Sequence, residues 1–293
     1  MFKGEISGSN HPWIMKFHKH IPAYPLSDYI QHMVYVSGST SSIPYIKELP
    51  DRGVNLVIEL HEKTINTAFL DTDLKEKRVM KNAWISGVQT QAILYQNNQD
   101  SSILSVRFTT GGFYALTKIP VTAIQTVCLE AELLLGNSFK HLYEKLINTE
   151  DVLQLFGHIE SYFLRYTSDL RFEDSLVKFI DRNLEKPIDW LIKKSGYSQK
   201  HVIHIVKQHT GFSTKYLQRL HRFQKVIRDI QTLRGKTDWL TLVNEYDYYD
   251  QAHFVKEFIQ FTGIKPTQYL LSQMEMEENY LVADMILQPP ANP

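Results

Sequence analysis

Two stretches in the last third of the chain repeat one pattern at an offset of 52 residues. Tyr197, Gln199, His201, Gln208, Thr210 and Gly211 return as Tyr249, Gln251, His253, Gln260, Thr262 and Gly263. Ser198 falls on Asp250, and both side chains accept a backbone N–H well at the start of a helix. Val202 registers with Phe254 and Val206 with Phe258, the i, i+4 spacing of one buried helical face. The chain must therefore build one capped helix twice. Two copies are too few for a stacked solenoid, and each reads as the second helix of a helix-turn-helix.

The surrounding pattern completes two such units. Leu176, Val177, Phe179, Ile180 and Leu184 predict a helix that stops by Lys186, because Pro187 disfavours αR in the residue before it. Asp189 is expected to cap a short helix holding Trp190, Leu191 and Ile192, which Gly196 ends. The first repeat spans 199–208. A long helix over 215–233 follows, with Leu217, Leu220, Val226, Ile227 and Ile230 as its apolar stripe. The second unit reads as helices over 240–246 and 251–260 and a last one from Pro266.

The 293 residues carry 32 Lys+Arg and 32 Asp+Glu, yet the charge is unevenly placed. From Arg171 to Glu275 there are 17 basic and 12 acidic residues, a net of +5, so the remainder holds −5. A basic part attached to an acidic remainder suits nucleic-acid binding by one domain. Between Asp189 and Gly235 the count is 10 basic to 2 acidic, and from Lys236 to Glu275 it is 3 to 6. The first unit is expected to dominate phosphate contact, with the second adding modest selectivity or only structural support.

With Val202, Ile205 and Val206 facing the core, Gln199, Lys200, Ile203, His204 and Lys207 point outward. Gln pairs with adenine, Lys and His donate to guanine, and Ile203 can touch a thymine methyl. The matching face of the second unit is Gln251, Ala252, Val255 and Lys256. A solvated helix face is the ordinary alternative.

Before about residue 125 the signals are those of strands, over 55–60, 65–70, 91–95 and 103–108, with Asn97-Asn98-Gln99-Asp100 as a hairpin turn between the last two. Leu129, Leu133, Leu142 and Leu146, then Val152, Leu155, Phe156, Ile159 and Phe163, predict two amphipathic helices that pack on the sheet or on a second subunit. Thr167-Ser168-Asp169 is a polar break. We read 1–166 as one domain, 167–171 as a linker, 172–275 as the DNA-binding domain and 276–293 as a tail.

A single cysteine, Cys128, excludes an intrachain disulfide and reads as a small buried hydrophobe. His18-Lys19-His20 lacks the further ligands a metal site needs, so no metal is expected. His61-Glu62 ends a strand and reads as solvated. Arg107, in an apolar strand, reads as a structural ion pair rather than an acceptor of an acidic ligand. With no nucleophile elbow, P-loop or dinucleotide fingerprint, an enzyme is not expected. No secretory signal or run of about 18 apolar residues occurs, which points to a cytoplasmic protein without membrane contact.

Gly196-Tyr197-Ser198 through Thr210-Gly211-Phe212, Arg222-Phe223-Gln224-Lys225, and Phe254, Phe258, Gly263, Pro266 and Tyr269 together resemble the double helix-turn-helix domain of the AraC/XylS family over roughly 172–273. The resemblance implies two recognition helices in successive major-groove segments. It places base contact on Lys200, Ile203 and His204 and on Ala252, Val255 and Lys256. Asp247 stands where the family usually has glycine, Ile259 where it has a basic residue, His204 where arginine is frequent, and Ile192 and Val243 where alanine is usual. Leu26-Ser27-Asp28-Tyr29-Ile30, Leu49 to Gly53, Ser86-Gly87-Val88-Gln89 and Val106 to Gly112 resemble an uncharacterised domain in front of some AraC-type regulators. That resemblance implies a cupin-like β-barrel with flanking helices and makes 1–166 an effector-sensing or dimerisation domain. The expected fold is thus α+β, a barrel followed by an all-α domain of two helix-turn-helix units joined by a long helix. The partners it implies are double-stranded DNA, a small-molecule effector, RNA polymerase and a second copy of the chain, with no cofactor. The alternative is a sensory or protein-interaction module with a degenerate helix-turn-helix domain.

The charge difference sets a first expectation. Lys200→Ala should weaken duplex binding severalfold more than Lys256→Ala in a fluorescence-anisotropy titration, and equal losses would remove the asymmetry.

Overall fold

The computed structural model describes residues 2–8, 11–39, 45–61, 65–69, 75, 77–96, 98, 101–167, 172–233, 239–274 and 280–282. Ten strands come first: β1 (Phe2–Gly8), β2 (His11–His20), β3 (Ile30–Ser39), β4 (Tyr45–Glu48), β5 (Asn55–Glu59), β6 (Ile65–Phe69), β7 (Lys77–Lys81), β8 (Ala83–Ser86), β9 (Ile93–Gln96) and β10 (Ser102–Phe108). Helix α1 (Gly112–Thr117), strand β11 (Cys128–Glu130) and helices α2 (Ala131–Leu135), α3 (Asn137–Ile147) and α4 (Val152–Leu164) follow. Among the described residues one sheet runs β1-β2-β3-β10-β5-β8-β11. The other runs β4-β9-β6-β7 and gains β12 (Tyr280–Val282), parallel to β4. The segment read only as a tail therefore supplies an edge strand.

Side-chain alternation tells why two sheets stack. On β5, β8 and β10, Val57, Trp84 and Ile103 turn to one side, where they meet Ala68, Met80, Ile93 and Tyr95 of the other sheet and Cys128 of β11. Leu56, Ile58, Ile85, Leu104 and Val106 turn to the opposite side, into the main core. Strands buried on both faces read as continuous apolar runs, which is why β5 and β10 were legible, whereas β8, four residues long, was not expected. Strands with polar faces, such as β2 and the edge strand β7, gave no comparable signal.

Three expectations need correction. Strands β9 and β10 do not form a hairpin, since β9 pairs with β4 and β6 and β10 with β3 and β5, and Asn97, Gln99 and Asp100 of the expected turn lie outside the described residues. Both strands have apolar side chains on either face, so local alternation could not say which sheet takes each. The helix expected around Leu129 and Leu133 is divided, since Leu129 lies on β11, Leu133 is exposed on α2, and Gly136 at φ +70° separates α2 from α3. Strand β9 also starts at Ile93, two residues later than expected.

The helices pack on the sheet. Phe139, Leu142 and Leu146 of α3 and Phe156, Ile159 and Phe163 of α4 join the main core, with the Phe163 ring edge-on to Phe108 at 5.3 Å. His20 of β2 stacks on Phe156 at 5.1 Å and meets Glu160 Oε1 at 2.9 Å. Arg107 is a structural ion-pair residue, its guanidinium lying against Asp51 and 3.6 Å from Glu48 Oε1. The Cys128 thiol is buried 3.9 Å from Ser86 Oγ, and burial pushes its pKa up to about 11. His61 donates its backbone N–H to Glu59 Oε1, while Glu62 lies outside the described residues.

The remaining helices are α5 (Phe172–Arg182), α6 (Ile188–Ser195), α7 (Gln199–Thr210), α8 (Thr214–Leu233), α9 (Trp239–Glu245), α10 (Gln251–Thr262) and α11 (Pro266–Met274). The fold is α+β. Leu176, Val202, Leu220, Phe258 and Tyr269 belong to the same buried cluster as Leu104 and Phe163, so strands and helix-turn-helix units share one continuous core. Helix α6 starts earlier than expected. Pro187 takes the N-cap place without a side-chain hydrogen bond, and Asp189 sits within the first turn, where its charge favours the helix dipole. Residues 168–171 of the expected linker lie outside the described residues.

The sheet and the helical part are joined through the segment 87–92. A Cβ placed on Gly87 would lie 1.6 Å from the Ile124 carbonyl oxygen, so Gly87→Ala must push two backbone segments apart. A loss of about 2–3 kcal/mol in urea-induced unfolding is expected, and an unchanged midpoint would contradict this close approach.

Candidate nucleic-acid interface

Helices α7 and α10 are built by the same local chemistry. Ser198 Oγ accepts from His201 N–H at 3.3 Å, and Asp250 Oδ1 accepts from His253 N–H at 2.7 Å. Each helix ends on the repeated Thr-Gly pair. Thr210 Oγ1 donates to the Val206 carbonyl at 2.7 Å and accepts from Phe212 N–H at 3.2 Å. Thr262 Oγ1 does the same with Phe258 and Ile264, at 2.8 and 3.2 Å. Gly211 and Gly263 take φ +75° and +77°, the left-handed conformation that turns the chain out of the helix at little cost for glycine. The 52-residue repeat is thus a repeated pair of helix ends.

The turns before the two helices are not identical. By sequence offset Tyr249 matches Tyr197, but Tyr249 is 91% exposed, and Tyr248 is the tyrosine that packs, at 6%. Its ring meets Phe254 at 5.1 Å and lies under Arg222 at 4.1 Å. The second turn has one more residue between its left-handed position and its N-cap, 248–249 against Tyr197 alone. Asp247 holds the left-handed position there, at φ +52°, a conformation that aspartate tolerates better than most side chains.

The structure brings the expected residues onto two open faces. On α7, Val202, Ile205, Val206 and His209 are buried, and Gln199, Lys200, Ile203, His204 and Lys207 are exposed, Ile203 by 45%. On α10, Phe254, Glu257, Phe258 and Phe261 are buried, Gln251, Ala252 and Lys256 are exposed, and Val255 is half-buried. Sequence reasoning missed Ile259. It is 37% exposed and borders the same depression as Gln251, Ala252, Val255 and Lys256. Adding 52 to Lys207 would have found it.

Helix α8 spans both units, and its 20 residues at about 1.5 Å each give roughly 30 Å, close to one turn of B-DNA. Its cations divide by role. Arg219 Nε and Arg222 Nη2 donate to the two oxygens of Glu257 at 2.7 and 3.0 Å, and Glu257 is 2% exposed. Lys225 pairs with Glu185 at 2.9 Å. Residue counting therefore overstates both the basic character of the first unit and the acidic character of the second. Lys193, Lys194, Lys200, Lys207 and Lys215 stand exposed on the first unit.

Both recognition helices abut the strand-rich part at their C-terminal ends. The His209 ring packs on Tyr114 with centroids 3.9 Å apart, and its Nδ1 lies 3.7 Å from Asp174 Oδ1. Gly211 faces Val88 and Val121 so closely that a Cβ would come within 2.7 Å of Val88. On the second unit, Ala92 N–H donates to the Phe261 carbonyl at 2.9 Å, and Lys47 Nζ reaches the Thr262 carbonyl at 3.5 Å. Tyr216 Oη donates to the Thr90 carbonyl at 3.2 Å. Arg52 bridges α5 and α8 through Asp181 and, at 3.0 Å, Gln224. These contacts leave both outward faces open.

A cavity of about 170 Å³ lies between the two sheets, lined among others by Val57, Asn66, Trp84, Tyr95 and Ile103. Trp84 Nε1 is buried there with no hydrogen-bond partner among the described residues. Among the described residues no cluster of three or more metal-ligating side chains occurs, and no helix is long and apolar enough to cross a membrane.

Burial holds the His209 pKa down at about 4 and that of His32 at about 3. A histidine whose folded pKa lies below its unfolded value of about 6.5 binds fewer protons when folded, so stability rises with pH through that window. Acidification from pH 6.5 to 4 should remove about 3 kcal/mol through His209 alone. His209→Gln should flatten that part of a stability–pH curve measured by urea denaturation, and an unchanged slope would contradict it.

Residues 18–130 match a family model described as a domain of unknown function, DUF6597. The multiple antibiotic resistance protein MarA of Salmonella typhimurium is 27% identical over 111 residues, 37% of this chain and 85% of MarA. Its Escherichia coli counterpart is 27% identical over 110 residues, 36% of this chain and 84% of that protein. Among solved structures, ToxT of Vibrio cholerae bound to (E)-4-(8-methylnaphthalen-1-yl)but-3-enoic acid aligns at 11% identity with a TM-score of 0.44, over 88% of this chain and 99% of ToxT. The AraC-like transcriptional activator CuxR aligns at 13% identity with a TM-score of 0.28, over 73% and 81% of the two chains. With a double helix-turn-helix built on its own repeat behind the domain of unknown function, the chain is similar over that part to MarA and to transcription regulators of the AraC/XylS type.

Proposed function

We propose that the chain is a sequence-specific, cytoplasmic regulator in which residues 172–275 read duplex DNA, 1–166 sense a small molecule, 167–171 link the two and 276–293 form the tail. The observation that carries DNA reading is the pair of exposed helix faces, repeated in sequence and set at the two ends of one 20-residue helix. In the first unit Gln199, Lys200, Ile203, His204 and Lys207 form the reading face, with Lys193, Lys194 and Lys215 as further exposed cations for phosphate. The first unit supplies most of the affinity, because Lys193, Lys194, Lys200, Lys207 and Lys215 stand exposed on it, against Lys256 and Lys265 among the described residues of the second. Phosphate contact by these lysines makes binding fall steeply with salt.

The cavity between the sheets supports effector binding. Its volume is close to that of an apolar cavity that admits a benzene-sized molecule, and the Trp84 N–H offers a donor to a neutral acceptor. The segment 87–92 leads from β8 to β9, both of which line this cavity, and touches both helix-turn-helix units. Occupancy can thereby bias how the units are held.

Selection of the full-length protein against a random duplex library at near-physiological salt tests the reading. Two half-elements about one DNA turn apart would support readout by both units. A single short element would assign it to the first. No enrichment would overturn DNA reading and favour a protein-interaction module, a reading to which the apolar side chains of α10 also lend themselves.

A further inference from the structure

The two recognition helices offer different chemistry at equivalent positions. Adding 52 takes Lys200, Ile203, His204 and Lys207 of α7 to Ala252, Val255, Lys256 and Ile259 of α10. At the first and last of these places a lysine is replaced by an apolar side chain. The result is a shallow depression lined by Gln251, Ala252, Val255, Lys256 and Ile259, in which Lys256 is the one charged residue.

The fold does not require this apolarity. Ile259 and Ala252 are exposed, while Phe254, Phe258 and Phe261 on the other side of α10 supply the core. Nor is the face acidic. Glu257 is turned inward between Arg219 and Arg222, and the Asp250 carboxylate accepts the His253 N–H. Glu245 and Asp247 do not line the depression.

On the proposed reading of DNA by both units, this face lies in a major groove. The one apolar group that base pairs display there is the C5-methyl of thymine, and adenine beside it presents the N6/N7 pair that glutamine recognises. We infer that α10 reads a thymine-rich half-element by packing Ala252, Val255 and Ile259 on thymine methyl groups, with Gln251 directed to adenine and Lys256 to a guanine acceptor or a phosphate. The second unit then contributes sequence selectivity with little salt dependence. The first unit contributes the charge-driven share.

The test uses the duplex recovered from the library, resynthesised with uracil in place of thymine in one half-element at a time. The half-element belonging to α10 is the one whose base changes still weaken binding by the Lys200→Ala protein. Each methyl removed there should weaken wild-type binding by about fourfold, the value of one buried methyl group. Ile259→Ser, at an exposed position, should weaken binding to the thymine duplex and erase the thymine–uracil difference at one base pair. Val255→Thr, checked for native circular dichroism, should do so at another.

Equal binding of the thymine and uracil forms would overturn the inference, as would an Ile259→Ser loss of the same size on both. Recovery of a single half-element would overturn it too while leaving DNA reading by the first unit standing. A library that enriches nothing would instead overturn the DNA-reading function on which the inference rests.

Discussion

The C-terminal ends of the two recognition helices are the points on which this molecule depends. The last carbonyls of a helix have no partner within it, and the chain uses them twice. Thr210 and Thr262 close each helix with a hydroxyl bridging the last turn and the residue beyond the glycine. At α10 the free carbonyls of Phe261 and Thr262 are then taken by Ala92 N–H and Lys47 Nζ. At α7 the equivalent end is sealed by packing, with His209 on Tyr114 and Gly211 against Val88 and Val121. One short segment, 87–92, therefore touches both units, and the strand-rich part holds the pair of recognition helices as well as α8 does.

That arrangement has electrostatic consequences. A buried carboxylate is costly unless its charge is met by well-placed donors, and Glu257 is met by two arginines of α8. The pair pins α10 to α8 and removes three charges from the surface that formal counting assigned to DNA. What is left for phosphate is a set of exposed lysines on the first unit. What is left on the second is a weakly charged, apolar face. Exposed charge is uneven: the first unit exposes Lys193, Lys194, Lys200, Lys207 and Lys215, whereas the described residues of the second expose Lys256 and Lys265 beside Glu245, Asp247 and Asp250.

The strand-rich part separates its two tasks by side-chain alternation. Val57, Trp84 and Ile103 face the second sheet and the small cavity. Leu56, Ile58, Leu104 and Val106 face the core that continues beneath α4 and into the helix-turn-helix units. A change on one side of β8 is thus a single residue from the core on the other. Trp84 and Ile85 are neighbours in sequence with opposite duties.

The sequence by itself determined the helical half almost completely, because caps, Thr-Gly ends and i, i+4 apolar pairs are local signals that each act within a few residues. Ser198, Asp250, Gly211 and Gly263 were legible for that reason, and so was the outward face of α7. Local spacing also implied Ile259, which lies 52 residues after Lys207. Tertiary structure alone decided which of Tyr248 and Tyr249 would pack, since the choice depends on Arg222 and Phe254 closing over one ring. It alone decided that β9 and β10 part into different sheets, because strands apolar on both faces carry no record of their partners. It also decided that Arg219 and Arg222 serve Glu257. Charge is written in the sequence, but its compensation depends on what folding brings within about 3 Å, the reach of a hydrogen bond.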